Sequence, residues 1–124
     1  MKSKMKHSAG MHNIGETPWK KFPDHFGSAL SKPLVRPKTT ASRLIDYRIS
    51  TYQPMEYVAR HAHKVQEQVY HVLDGEGLLD LDGERRVARR HDDIFIPLSV
   101  EHGITNSRLS DLTFIVVTTP INDE

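Results

Sequence analysis

The chain contains no cysteine. Disulfides, thiolate metal sites and a cysteine nucleophile are therefore excluded, and the absence fits a cytoplasmic protein. No run approaches the ~18 apolar residues of a membrane span. The opening stretch MKSKMKHSAGMHNIGE is basic but lacks the apolar segment of a secretory signal. Little charge is left over: 17 Lys plus Arg stand against 16 Asp plus Glu, a net +1. That balance argues against a protein that binds nucleic acid by neutralising phosphates. The three lysines within residues 1–6 read as a mobile basic end. A glycine-rich phosphate loop is missing, as is a serine in a strand-turn-helix context. No ten-residue stretch has a helical period, and no internal repeat stands out.

The signals that are present are short and β-like, in a chain whose 124 residues suit one domain with one core. Residues 1–30 are weakly patterned, with Trp19, Phe22 and Phe26 scattered among Pro18, Pro23, lysines and glycines. This reads as an irregular N-terminal arm whose aromatics dock on the rest of the chain or on a second subunit. Residues 31–124 form the main domain. Pro33 to Pro37 is a short extended piece. Leu44 to Tyr52, Glu56 to His63, Val69 to Leu73 and Leu78 to Leu81 follow as strands. Asp82-Gly83 makes a hairpin turn into Glu84 to Ala88, because glycine accepts the positive φ such turns need. Asp93 to Ile96, Gly103 to Thr105 and Leu112 to Thr119 complete the set. Strands recurring every 8–12 residues between turns predict an all-β sandwich or barrel.

The eight histidines are at 7, 12, 25, 61, 63, 71, 91 and 102, and position decides which matter. His61 and His63 lie two apart on a predicted strand, so they share a face, roughly 7 Å apart at Cβ. Two such imidazoles can converge on one metal ion. His12 and His25 are remoter candidates for the same site.

Two stretches together resemble the cupins, the double-stranded β-helix jelly-roll family. The first cupin motif is glycine, five residues, His-x-His, three or four residues, glutamate, six residues and glycine. Here His61-Ala62-His63 is followed by four residues, Gln68, six residues and Gly75. The second motif is glycine, five residues, Pro-x-Gly-x-x-His and x-x-x-Asn, matched by Pro97 to Asn106. The resemblance covers about Leu34 to Pro120. Met55 and His91 stand where the motifs open with glycine, and Ser99 replaces the glycine after Pro97. Those glycines serve tight turns, so reshaped loops are expected.

The resemblance implies a jelly-roll barrel and one divalent ion (Zn, Mn, Fe or Ni) held by His61, His63 and His102. The usual glutamate ligand is replaced by Gln68, whose amide oxygen can serve a metal. Glu67 is the rival, but one residue along a strand turns the side chain to the other face. Three neutral imidazoles and a neutral amide leave the full divalent charge on the ion. Such a site is a stronger Lewis acid toward anionic oxygens and disfavours a trivalent metal. Tyr70 and Val72 share parity with Gln68 and are expected to face the interior. Tyr70 either orients a substrate and moves a proton or fills the barrel. His71 has the opposite parity and points outward or into a subunit contact. Arg48, Arg60 and Tyr47 are candidates for the barrel mouth, where arginine suits a carboxylate, although solvated arginines are the plainer reading. Asn106 is expected to hold a loop. Arg85, Arg86, Arg89 and Arg90 read as a charge-protected hairpin edge.

The expected function is a metal-dependent lyase or isomerase acting on a small polar or anionic molecule, in a homodimer that contacts neither nucleic acid nor membrane. An Fe(II) dioxygenase and a non-catalytic sugar-binding or sensing module are the rivals.

Overall fold

The computed structural model describes residues 9–22 and 29–122 and the backbone of 25–26. The basic residues 1–6, His7 and the side chains of His25 and Phe26 lie outside the described residues. After a short 3-10 turn, Ile14–Glu16, come β1 (His25–Phe26), β2 (Leu30–Val35) and one helical turn, α1 (Pro37–Thr40). Eight further strands follow: β3 (Asp46–Tyr52), β4 (Tyr57–His61), β5 (Glu67–Asp74), β6 (Gly77–Leu81), β7 (Glu84–Ala88), β8 (Asp93–Ile96), β9 (His102–Thr105) and β10 (Leu112–Thr119).

They form two antiparallel five-stranded sheets, ordered β1-β4-β9-β6-β7 and β2-β3-β10-β5-β8. Sequence-adjacent strands are repeatedly split between the two sheets, which is how a jelly roll closes on itself. The strands form where β-branched and aromatic residues alternate with polar ones. β10 is buried at every second residue from Leu112 to Thr118. Between the sheets lie Tyr52, Val58, Tyr70, Val72, Leu79, Ile96, Ile104, Leu112 and Phe114. The Tyr52 and Phe114 rings meet edge to face at 5.2 Å, the arrangement their ring quadrupoles favour.

Turn chemistry sets the registers. Asp82 and Gly83 both have positive φ, 53° and 87°, as a two-residue hairpin loop requires. Gly83 N–H donates to Asp80 Oδ1 at 2.9 Å. At Gly75 (φ 80°) a Cβ would sit 2.3 Å from the Asp111 carbonyl oxygen, so only glycine lets this loop close against β10.

The three positions where the motif glycines are replaced are not reshaped. Met55, His91 and Ser99 have φ of 76°, 71° and 65°. The backbone keeps the left-handed conformation and carries a side chain in it, at a cost of roughly 1–2 kcal/mol per residue. Asn106 shows what braces one of these loops. It is fully buried, its Nδ2 donates to the carbonyls of Tyr52 and Ser110, and its Oδ1 accepts from Arg108 N–H. Its backbone also clamps Met55 and Glu56.

The N-terminal segment touches β2 and β3. Lys20 and Ser31 exchange both backbone hydrogen bonds, at 2.7 and 2.8 Å. Lys32 Nζ lies over the Trp19 ring, and the Arg48 guanidinium lies 4.2 Å from the centre of the Phe22 ring. No helix among the described residues is long and apolar enough to cross a membrane.

Candidate metal centre

His61 ends β4 and His102 begins β9, and the two are direct cross-strand partners. The ladder bulges between Val58 and His61, which aims the end of β4 inward. His63 lies just past the strand, and Ser99 N–H donates to its carbonyl at 2.6 Å, tying the two motif loops together. The three rings converge, with centroids 4.4 to 5.5 Å apart. Their ligand atoms lie within 4.8 Å of one another.

The backbone sets the tautomers. His61 Nδ1 lies 2.7 Å from the Ala59 carbonyl oxygen, and His102 Nδ1 lies 2.9 Å from that of Val100. A carbonyl only accepts, so each Nδ1 carries the proton and donates it. The lone pair is left on Nε2, the form that binds a metal. Burial lowers the His102 pKa to about 4, against the pull of the Val100 hydrogen bond, and nearby His61 and His63 add to the lowering. This ring is neutral at pH 7.

Gln68 is buried and Glu67 is exposed, as strand parity requires. Gln68 Nε2 donates to Thr118 Oγ1 at 3.0 Å. Its Oε1 is thereby turned away and is buried with no hydrogen-bond partner among the described residues. His102 Nε2 is in the same condition. Two buried acceptors without partners are costly in a folded protein, and a cation is what an imidazole lone pair and an amide oxygen would share. The donor set therefore fits a divalent ion.

His61, His63 and Gln68 line a cavity of about 220 Å³ together with Asp46, Arg48, Ser50, Tyr52 and Tyr70. Tyr70 is buried, with its ring 6.0 Å from that of His102 and 5.3 Å from that of Phe114. Burial pushes its phenol far above the ordinary value, with Arg48 pulling the other way. Tyr70 keeps its proton at neutral pH.

Of the three mouth candidates, only Arg48 lines this cavity. It shares parity with Asp46, Ser50 and Tyr52 on β3, whereas Tyr47 points to the other face. Arg60 is half exposed and pairs with Glu101 and Asp80. His12 and Tyr47 line a separate, more open hollow that shares no described lining residue with the His cavity. His25 falls in β1, with its side chain outside the described residues. His71 points outward and pairs with Asp93. Asp46 was missed in the sequence. Its i, i+2 spacing from Arg48 was the available signal, but it needed the knowledge that β3 faces the His cluster.

A fold with this site is that of the cupins, and the Cupin domain family model matches residues 48–118. The chain belongs to the cupin family. It is 39% identical over 46 residues to the uncharacterized protein MJ1618 of Methanocaldococcus jannaschii. That match spans 37% of each chain. Among solved structures it is similar to a predicted oxalate decarboxylase from Thermotoga maritima, with a TM-score of 0.80 and 19% identity, covering 89% of this chain and 98% of that one. It is also similar to KdgF from Halomonas sp., with a TM-score of 0.78 and 18% identity, covering 94% and 97%.

Proposed function

We propose that this cupin is a metal-dependent enzyme of the lyase or isomerase type, acting on a small polar or anionic molecule. His61, His63, His102 and Gln68 are the proposed ligands of one divalent ion (Zn, Mn, Fe or Ni). The observation that carries the reading is the pair of buried acceptors without hydrogen-bond partners among the described residues: His102 Nε2, in the cluster with His61 and His63, and Gln68 Oε1, in the cavity that His61 and His63 line. Such an ion supplies a Lewis acid for a substrate oxygen that gains negative charge.

The chain's own residues do the rest. Ala59 and Val100 carbonyls hold two imidazoles in the metal-binding tautomer. Thr118 holds the Gln68 amide so that its oxygen, not its nitrogen, is free. Tyr70, fully protonated, donates a hydrogen bond or a proton into the cavity. Tyr52 and Phe114 wall it against water. The all-neutral donor set favours this chemistry over Fe(II) dioxygenation, because none of the four proposed donors is a carboxylate that would stabilise a trivalent ion. The Thermotoga maritima protein is described as a predicted decarboxylase, which is a lyase. At 19% identity that likeness carries the fold, and the site geometry carries the proposal.

The test is elemental analysis of protein purified without added metal, with oxygen uptake measured in parallel. A divalent metal near one per chain and no oxygen uptake are expected. Full metal occupancy in a His61→Ala/His63→Ala variant would end the proposal. Metal with oxygen uptake would favour the dioxygenase, and ligand binding without turnover would favour a sensing module.

We place the enzyme in a homodimer. Val69 and Phe95 are cross-strand partners on the outward face of the second sheet, 39% and 58% exposed, where a second copy would cover them. Sedimentation equilibrium should give a dimer that Phe95→Asp weakens, and a monomeric wild type would refute it.

A further inference from the structure

The β3 wall of the cavity carries an ion pair. Arg48 Nε donates to Asp46 Oδ1 at 2.8 Å and Arg48 Nη2 to Asp46 Oδ2 at 2.7 Å. The Phe22 ring covers one face of the same guanidinium. One edge and one face are thus held, and the side chain retains only about a fifth of its exposure. Holding a flexible arginine this way removes the entropy it would otherwise lose on binding. Nη1 makes no hydrogen bond among the described residues, and Arg48 lines the same cavity as His61, His63 and Gln68.

Charge in the cavity points the same way. Asp46 is the one acid among the described lining residues, and Arg48 already neutralises it. A divalent ion on four neutral donors would leave two positive charges without a counter-charge. Arg36 stands over the same Phe22 ring and adds another cation nearby. A cavity of about 220 Å³ holds the equivalent of about seven waters, so its occupant is small.

We propose that Arg48 is a substrate-anchoring residue, and that the site takes a small carboxylic acid bearing a second oxygen function. The carboxylate would bind the outer edge of the guanidinium, a geometry arginine matches as a fork. The second group, a hydroxyl, keto or further carboxylate oxygen, would reach the His61–His63–Gln68 end. Asp46 positions Arg48 and does not touch the substrate. This inference deepens the metal reading by naming the substrate class of that cavity.

The test is an NMR chemical-shift titration, which reads weak binding, with malonate and its uncharged analogue malonamide. It is run on both metal-free and zinc-loaded protein. Malonate should bind roughly tenfold or more tightly than malonamide, in both forms. Arg48→Gln should lose roughly tenfold or more in malonate affinity while zinc stoichiometry is unchanged. Arg48→Lys, which keeps the charge and the fold but not the fork, should lose several-fold. Equal binding of the two probes by the wild type overturns the proposal, and so does undiminished malonate binding by Arg48→Gln or Arg48→Lys. Arg48-dependent malonate binding in a protein that takes up no zinc would support the anchor and overturn the metal reading. Zinc uptake without malonate preference would do the reverse.

Discussion

Gln68 and Thr118 face each other across β5 and β10, and the threonine hydroxyl takes the amide N–H of the glutamine at 3.0 Å. This contact decides which end of the amide is left without a partner in the cavity that His61 and His63 also line. A carboxylate would need no such orientation, since both its ends are oxygens. Gln68, as the proposed ligand, and the threonine opposite it belong together.

Thr118→Val should therefore weaken metal binding by roughly tenfold while the fold persists. Gln68→Ala should weaken it further, and Glu67→Ala, on the exposed face, should leave it unchanged. Competition with a metallochromic chelator measures all three. Metal loss confined to Glu67→Ala would show that the ligand assignment is wrong.

The His102 ring gives a pH signature in the metal-free protein. Its folded pKa of about 4 lies below the ordinary 6.5. Between these values the unfolded chain binds a proton that the folded chain does not. Stability is therefore fully present above pH 6.5 and lost as pH falls toward 4, by roughly 3 kcal/mol. Chemical denaturation from pH 7 to 4 should show the decline, and His102→Gln should flatten it.

Tyr70→Phe removes a hydroxyl without changing the ring that packs on Phe114. Metal content and melting temperature should be nearly unchanged, while turnover, once a substrate is found, should fall by roughly 10²-fold or more. Unchanged turnover would make Tyr70 a wall of the cavity only.

Met55, His91 and Ser99 each hold a side chain at positive φ. Replacing them singly with glycine should stabilise the protein by up to about 1 kcal/mol each, the relief of left-handed strain exceeding the added freedom of the unfolded chain. Thermal denaturation reads this directly.

Asn106→Ala should do the opposite. It strands the carbonyls of Tyr52 and Ser110 and the Arg108 N–H, at a cost of about 3 kcal/mol or more. Metal bound per folded chain should not change, since Asn106 braces a loop and touches no ligand atom.

Most strands were legible from residues 44 to 119 because alternation and turn residues act locally. Asp82-Gly83 and Gly75 announce their loops, and Glu84 to Ala88 and Leu112 to Thr119 fall where expected. The start of the barrel was less legible. β2 begins at Leu30, where Pro33 and the polar Ser31 and Lys32 mask a strand signal, and Pro37–Thr40 turns into helix rather than ending an extended piece. The positive φ of Met55, His91 and Ser99 was hidden because side chains at those sites gave no local sign of a left-handed backbone. It is enforced by distant contacts, such as the Asn106 clamp on Met55.

The sequence by itself determined the fold class and the residue types at the site: His61, His63 and His102 in two motifs, and Gln68 in register with Gly75. Strand parity was enough to turn Gln68 inward and Glu67 outward. Only the tertiary structure decided what those residues are made to do. The carbonyls of Ala59 and Val100, the Thr118 hydroxyl and the Asp46–Arg48 pair act on the cavity from separate segments of the chain. Tautomer, amide orientation and charge balance depend on which backbone and side-chain groups end up opposite one another, and a pairing such as that of Gln68 with Thr118, 50 residues apart in the chain, leaves no periodic trace in the sequence.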